Sequence, residues 1–411
     1  MIINAIIAEY NPFHTGHAYQ LSECKRRLGA DYTIVVMSGD FVQRGEPAIV
    51  NKYIRTKMAL SGGADLVIEL PTLYAASSAE FFATGAISIL NKLGCVNTLS
   101  FGSECGDISL LTSVAEILAS EPEEYVRELK RGLQQGMSFP IARNWALFSY
   151  QPELITHGEI LTSPNNILAI EYLKSLIRSN SSITPYTIKR VGSGYHDRNT
   201  ENTFCSALAL RQAILGGHSP DSLNSYFTAE SLEILSHNTS SDSLLTCNNF
   251  STLLYYRLIS EANTGFAKYL DVSEELSCRI QNQLFSFRSF SQFCELLKTK
   301  EMTYTRISRC LLHIVLGITK EDMALAAQNN HASFARILGF RKASGELLHL
   351  IKQHSSIPLI SKPADVTNLL DEASMYQWDN QIRYNHIYAG VAAAKSGKPI
   401  QNEYQQPIVI I

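Results

Sequence analysis

Residues 1–28 read MIINAIIAEYNPFHTGHAYQLSECKRRL, and the passage from apolar run to turn to helix within them decides the fold. Met1 to Ala8 is nearly continuous in apolar residues, the pattern of a central strand covered on both faces of a parallel sheet. Pro12 ends regular pairing, Gly16 permits a tight turn, and Ala18 to Leu28 continues at helical spacing. His14 and His17 therefore stand at the carboxyl end of the first strand, beside a helix N-terminus whose free N–H groups favour anions. The stretch reads as a place to hold a nucleotide triphosphate; a pair of surface-loop histidines is the competing reading.

Working outward, the same alternation repeats. Strands are predicted over Ile2–Ala8, Tyr32–Met37, Asp65–Leu70 and Val96–Phe101, with helices over His17–Leu28, Lys52–Ser61 and Ser77–Leu93 between them. Strand–helix alternation implies right-handed crossovers and an α/β, doubly wound, parallel-sheet (Rossmann-like) domain. Ligands in such sheets bind beyond the carboxyl ends of the strands. Helices follow over Ile108–Ala119, Pro122 to about Gln135, and Ile167–Arg178; Tyr186–Val191 is a late strand and Ala207–Leu215 a closing helix. Gly216-Gly217-His218-Ser219-Pro220 is the boundary signal, giving a catalytic domain over 1–217 and a mainly helical region over 218–411. Helical spacing there covers Leu232–Ser236, Phe250–Ser260, Glu274–Phe287, Phe293–Lys300, Tyr304–Leu316 and Gly345–Lys352, with a short strand at Pro407–Ile411.

Composition excludes more than it selects. Hydrophobic residues at 45% and charged residues at 18% describe an ordinary globular protein, and no run of eighteen apolar residues predicts a membrane span. Eight cysteines without a CxxC pair argue for reduced thiols in a cytoplasmic protein, with no zinc site and no disulfide framework. The net charge of −3 is unevenly spread: Phe287–Lys362 carries 11 Lys/Arg against 5 Asp/Glu, a local +6 that leaves −9 elsewhere. A basic region on an acidic protein suits a polyanionic partner, or is simply solvated.

Chemistry-bearing residues cluster after the strand ends. In Ser38–Ala48, too polar and glycine-rich for a core element, Asp40 is a candidate to orient substrate or a magnesium-bound water, and Arg44 to pair with phosphate or carboxylate. Lys52 and Arg55 share a helix face, either aimed at one anion or solvated. Gly102 in Phe101-Gly102-Ser103-Glu104 permits close backbone approach to adenine or ribose, unless the segment is only a turn or a helix cap. Lys189-Arg190, followed by Gly192-Ser193-Gly194-Tyr195-His196-Asp197, places cations and glycine-rich backbone at a strand end. Tyr304 and Thr305 with Arg306, Arg309, Arg336, Arg341 and Lys342 interleave an aromatic with cations, as RNA-binding patches do; a solvated basic helix face is the alternative.

His14-Thr15-Gly16-His17 after a first strand resembles the signature of the nucleotidyltransferase superfamily, which includes class I aminoacyl-tRNA synthetases and small adenylyltransferases. Ser206-Ala207-Leu208-Ala209-Leu210-Arg211 resembles that superfamily's second signature, with Ser206 and Arg211 then holding the triphosphate tail. AEYNPFHTGH, MSGDFVQRGEPA, GADLVIELP, FGSE, PNNILAIEYL and RILGF together resemble the bacterial tRNA(Met) cytidine acetate ligases over nearly the whole chain. Asn51 and Tyr53 depart from an Asp-Lys-Trp triplet common in that family.

The resemblance implies that ATP and acetate form acetyl-adenylate, which then acetylates N4 of the wobble cytidine, position 34, of elongator tRNA(Met). It implies an ATP site made by Ile7, Ala8, Glu9, Tyr10, Asn11, Pro12, Phe13, His14, Thr15, Gly16, His17, Ala18, Tyr19 and Gln20, with Gly102, Asn165 and Arg190. His14 and His17 would stabilise charge at the α-phosphate, with Asp40 and Arg44 placing substrate, and the basic helical region would grip the tRNA. Magnesium is expected to accompany the triphosphate without a dedicated protein cage. A small-molecule adenylyltransferase of the same superfamily, and a non-catalytic RNA-binding protein keeping a nucleotide pocket, are the alternative functions.

Overall fold

The computed structural model describes residues 1–158, 160–190, 205–239 and 242–411. An eight-stranded sheet organises them. β1 (Ile3–Ala8) lies between β2 (Tyr32–Ser38) and β6 (Thr98–Ser103), with β5 (Leu66–Leu70) beyond β2 and β7 (Thr184–Lys189) beyond β6, all parallel. A two-residue pair, β3 (Phe41–Val42) with β4 (Glu46–Pro47), forms a small antiparallel hairpin after β2. Ile3 through Ile7 are all buried, so β1 is covered on both faces as its apolar run requires. The chain turns to opposite sides of β1 on entering β2 and β6, which makes the end of β1 the switch point of the sheet. The helices Thr15–Leu28, Lys52–Ser61, Ala79–Leu93 and Ile108–Ser120 are the crossovers.

The C-terminal region does not stand apart. β8 (Ala335–Phe340) pairs antiparallel with β5, and β9 (Leu359–Ile360) and β10 (Val409–Ile410) pair parallel with β8, so three strands beyond position 217 extend the sheet. One hydrophobic core also crosses that position, joining Ile34 and Leu70 to Leu311, Ile337 and Tyr388. The expected division at 217 is therefore a turn between elements, and 218–411 is not a separate helical unit. Gly216 and Gly217 do end the helix Ala207–Leu215, which is the part of the signal that the turn chemistry carries.

A buried charge network fastens this extension. Lys52 Nζ lies 2.8 Å from Glu69 Oε1 and 2.5 Å from Glu403 Oε1, while Arg336 lies 3.3 Å from Glu69 Oε2 and 2.7 Å from Glu403 Oε1. Tyr53, Gln381 and Asn385 donate to the same two carboxylates. Burial pushes Glu403 up, but Lys52 and Arg336 outweigh it and hold the carboxyl at about 2. Arg336 also stacks over Trp378, 5.2 Å from the ring centroid, and Trp378 has no exposure. The placement of Arg336 in a tRNA-binding surface is thus corrected: at 3% exposure it sits in β8 with both of its carboxylate partners inside the protein. Tyr53, the departure from the family's triplet, is a member of this network. Asn51 accepts from Ile54 N at 3.0 Å as the helix N-cap, a task for which Asn and Asp serve equally.

No helix among the described residues is long and apolar enough to cross a membrane. The eight cysteines are all unpaired thiols.

Candidate active site

The loop leaving β1 is built around its two histidines. His14 is the N-cap of the helix Thr15–Leu28: its Nδ1 accepts from Gly16 N at 3.0 Å, and His17 Nδ1 accepts from His14 N at 3.3 Å. The helix entry is therefore a capping box made by imidazoles, where a hydroxyl and a carboxylate usually stand. The rings lie 3.8 Å apart at 32° to one another. With each Nδ1 accepting, a neutral ring carries its proton on Nε2, leaving one N–H donor per histidine free for a ligand. Burial, with Arg190 nearby, lowers His14 from the ordinary 6.5 to about 3. Burial, then His14, then Arg190, lower His17 well below its ordinary value. Both rings are neutral at physiological pH.

That neutrality is testable without substrate. In the nucleotide-free protein the His14 and His17 imidazole resonances should show no titration between pH 8 and about 5, while an exposed histidine titrates near 6.5. The sign for stability follows: the unfolded His14 takes up a proton below 6.5, and the folded one does so only near 3. Its contribution is complete above 6.5 and is lost progressively as the pH falls through that window.

The rest of the loop divides into surface and support. Tyr10 and Phe13 are buried at 1% and 0% and hold the loop against a second core shared with Met58, Leu60 and Leu210, so their side chains are anchors. Tyr10 has φ 47, a left-handed conformation that the loop path requires. Asn11 Oδ1 accepts from Ile49 N at 3.0 Å, and Asn11 O accepts from Arg211 at 2.8 Å. Asn11 Nδ2 and Thr15 Oγ1 are buried without a hydrogen-bond partner, two polar atoms that a ligand at this helix start would satisfy. Ile7 and Ala8 end β1, and Gly16 to Gln20 form the first turns of the helix.

Arg55 is the brace behind the site. Fully buried, it donates to Val50 O at 3.1 Å, Glu9 O at 2.7 Å and Ser38 O at 2.9 Å, and also to Gly39 O. One guanidinium thereby ties the end of β1 to the end of β2. Lys52 and Arg55 neither share an anion nor face solvent: each has its own buried partners.

Asp40 occupies a different position from the one expected. It is 4% exposed, its Oδ1 accepts from Lys52 N at 3.0 Å, and its Oδ2 lies 3.9 Å from Lys52 Nζ. Burial pushes it up to about 6, against the pull of Lys52. Its polar atoms are turned to the helix start, not to an open site. Arg44 is half-buried at the hairpin tip, where it and Arg211 both act on Glu46. The hairpin is held to the loop of β1 by Gln43 N donating to Glu9 at 3.0 Å.

On the other side of β1, Gly102 and Arg190 come together: a Cβ at Gly102 would lie 3.2 Å from Arg190 Cγ. Glu104 accepts from Asn165 N at 3.1 Å, Asn165 Nδ2 at 2.7 Å and Asn166 N at 2.8 Å. Asn166 Oδ1 accepts in return from Glu104 N and Cys105 N. The carboxylate thus caps a helix 61 residues away, Pro164–Arg178, whose own Ser163 makes no side-chain cap. Glu104 thus does act as a helix cap, one reading its segment allowed, but for a remote helix; its pairing with Asn166 is what the sequence reading missed, because Ser163-Pro164 reads as an ordinary capped start. Ser206 caps the helix Ala207–Leu215 by accepting from Ala209 N at 3.2 Å, and Arg211, 5% exposed, reaches the loop as described. The stretch Gly192–Asp197 lies outside the described residues.

Of the cations expected on a tRNA surface, Arg306 is exposed and Lys342 is exposed, Arg341 is half-buried, and Arg309 is half-buried 3.6 Å from Asp271. The helix Tyr304–Leu316 that bears Arg306 and Arg309 touches the hairpin directly: Ser308 Oγ donates to Gly45 O at 2.8 Å. Gly45 has φ 73, and a Cβ there would collide with the Arg309 backbone, so glycine is needed twice over.

A family model described as HIGH nucleotidyl transferase matches residues 1–403. The chain is 40% identical over 418 residues to a tRNA(Met) cytidine acetate ligase of Acetivibrio thermocellus, covering 100% of each. It is 44% identical over 386 residues to one of Clostridium kluyveri, covering 90% of this chain and 92% of that one. Among solved structures, Thermotoga maritima TmcAL bound with alpha-thio ATP superposes with a TM-score of 0.92 at 30% identity, covering 100% of this chain and 99% of that one.

Proposed function

The chain belongs to the HIGH nucleotidyl transferase family, among the tRNA(Met) cytidine acetate ligases, and from that premise we propose how its own residues carry an ATP-dependent ligation. An acetate oxygen attacks the α-phosphorus of ATP, the bond to the bridging β-oxygen breaks, and pyrophosphate leaves. The resulting acetyl-adenylate is then attacked at its carbonyl carbon by N4 of the wobble cytidine, position 34, of elongator tRNA(Met). AMP leaves, and the N4 proton passes to solvent.

The observation that carries this reading is the close, tilted histidine pair, neutral and locked with both Nδ1 atoms accepting. Two Nε2–H donors at a helix N-terminus suit phosphoryl oxygens that gain charge as pyrophosphate departs. Arg190 would add positive charge beside them, with Gly102 and Asn165 bordering the nucleoside and Ser206 and Arg211 toward the triphosphate tail. Arg44, the cation of the hairpin tip, is the candidate to orient acetate or the approaching tRNA. Asp40 would act by fixing the start of the helix Lys52–Ser61. Among the described residues no group of three His, Cys, Asp or Glu is placed to hold a metal, so magnesium would enter on the phosphates. A cytoplasmic site of action belongs to the same proposal.

The test is acetate-dependent exchange of pyrophosphate into ATP without tRNA, followed by acetyl transfer when tRNA is added. Exchange with no carboxylate, paired with AMP transfer to a phosphorylated small molecule, would instead identify an adenylyltransferase. A Gly102→Val substitution should displace Arg190 and raise KM for ATP roughly tenfold, the loss of about one charged hydrogen bond, with little change in KM for acetate. Steady-state kinetics with each substrate varied in turn checks it.

A further inference from the structure

The helix Ser251–Ser260 buries Leu254 and Leu258 on one side and leaves Leu253, Tyr256 and Ile259 exposed on the other. Tyr255 stacks on Phe287 with centroids 5.4 Å apart at 27°. Tyr256, the neighbour of one ring in that stack, is 68% exposed, and Phe285, two residues before the other, is 90% exposed. A phenylalanine left in water forgoes about 1.5–3 kcal/mol of burial, so nothing within the fold accounts for it. Beside Phe287, Arg288 is exposed and makes no ion pair among the described residues; Arg306 is likewise exposed and unpaired. Other cations of this region are already engaged, Arg257 with Glu261, Arg279 with Glu275 and Lys298 with Glu295.

We propose that Tyr256 and Phe285, around the Tyr255–Phe287 stack and beside Arg288, form a platform on which unpaired bases of the tRNA stack. The inference rests on the function proposed above, since it takes tRNA as the partner. Flat aromatic faces with free guanidinium groups suit single-stranded loops, in which splayed bases offer a π-face and phosphates offer charge. The platform is also tied to the catalytic loop. The helix Ser251–Ser260 packs on Tyr304–Leu316, whose Ser308 holds Gly45 of the hairpin.

The test uses the full chain with Tyr256→Ala and Phe285→Ala combined, both at exposed positions. Binding of an elongator tRNA(Met) transcript is measured against salt, and acetate-dependent pyrophosphate exchange without tRNA is measured alongside. Exchange should remain at the unmodified rate while tRNA affinity falls at least tenfold, stacking being worth about 1–3 kcal/mol per base. The salt slope should not change in that variant, whereas Arg288→Gln should lower it by about one. Equal tRNA affinity in the double variant overturns the platform and leaves the proposed function standing. The same holds if the substitution only converts a dimer to a monomer, which would make the face a self-contact. If the unmodified protein neither binds nor acetylates tRNA, the proposed function falls first and the platform with it.

Discussion

His14→Ala is expected to lower the rate of acetate-dependent pyrophosphate exchange by about 10²–10³-fold, the usual loss on removing one donor aimed at developing charge. Alanine removes the cap on Gly16 N as well as the Nε2–H donor, so the helix start loses about 1 kcal/mol in addition. His14→Asn separates the two effects, because its carbonyl can take the capping bond and its amide can still donate. The asparagine variant should therefore keep most of the stability and recover part of the rate. His17→Ala is expected to lose as much activity, since the two rings act as one unit at 3.8 Å. Single-turnover exchange combined with thermal unfolding distinguishes these outcomes. Unchanged exchange in both alanine variants would remove the histidines from the chemistry.

Arg336→Met is expected to destabilise the protein by about 3–5 kcal/mol, measured as a fall in the urea midpoint at constant slope. The substitution leaves Glu69 and Glu403 buried with Lys52 as their one remaining cation among the described residues, and an uncompensated buried carboxylate is far more costly than a missing attraction. The exposed pair Arg178–Glu80, at 45% and 50% side-chain exposure, provides the internal comparison. Its removal should shift stability by less than about 1 kcal/mol. Glu403→Gln in the Arg336→Met background should restore part of the loss, because it removes one of the stranded charges. Activity should follow stability in this series, as the network lies behind the loops and not in them.

The nucleotide loop was legible because its information is local. An apolar run, a proline, a glycine and a helical period within 28 residues are enough to place a strand, a turn and a helix start. The helices Lys52–Ser61, Ala207–Leu215 and Tyr304–Leu316 are found with the boundaries that periodicity and caps predict. The helix Glu372–Ser396, 25 residues long, went unread for a physical reason: its buried face mixes Gln381 and Asn385 with Trp378, Ile382 and Tyr388. Such a helix has no single apolar stripe to detect. β8 was missed because Ala335–Phe340 includes Arg336, whose partners lie in β5 and at position 403. A charged residue in a short strand reads as surface until its remote counter-ions are known. The inward turn of Asp40 and Arg55 has the same origin, each being satisfied by backbone groups that spacing cannot locate.

The bond from Tyr53 to Glu403 spans 350 residues. A ribosome adding 5–20 residues per second therefore takes roughly 20–70 s to deliver the second partner after the first. For most of that interval the emerging β5 lacks β8 and its edge is unpaired, and throughout it Lys52 has yet to meet Glu403. The sheet that carries the nucleotide loop is thus completed by partners far along the chain from its own central strands.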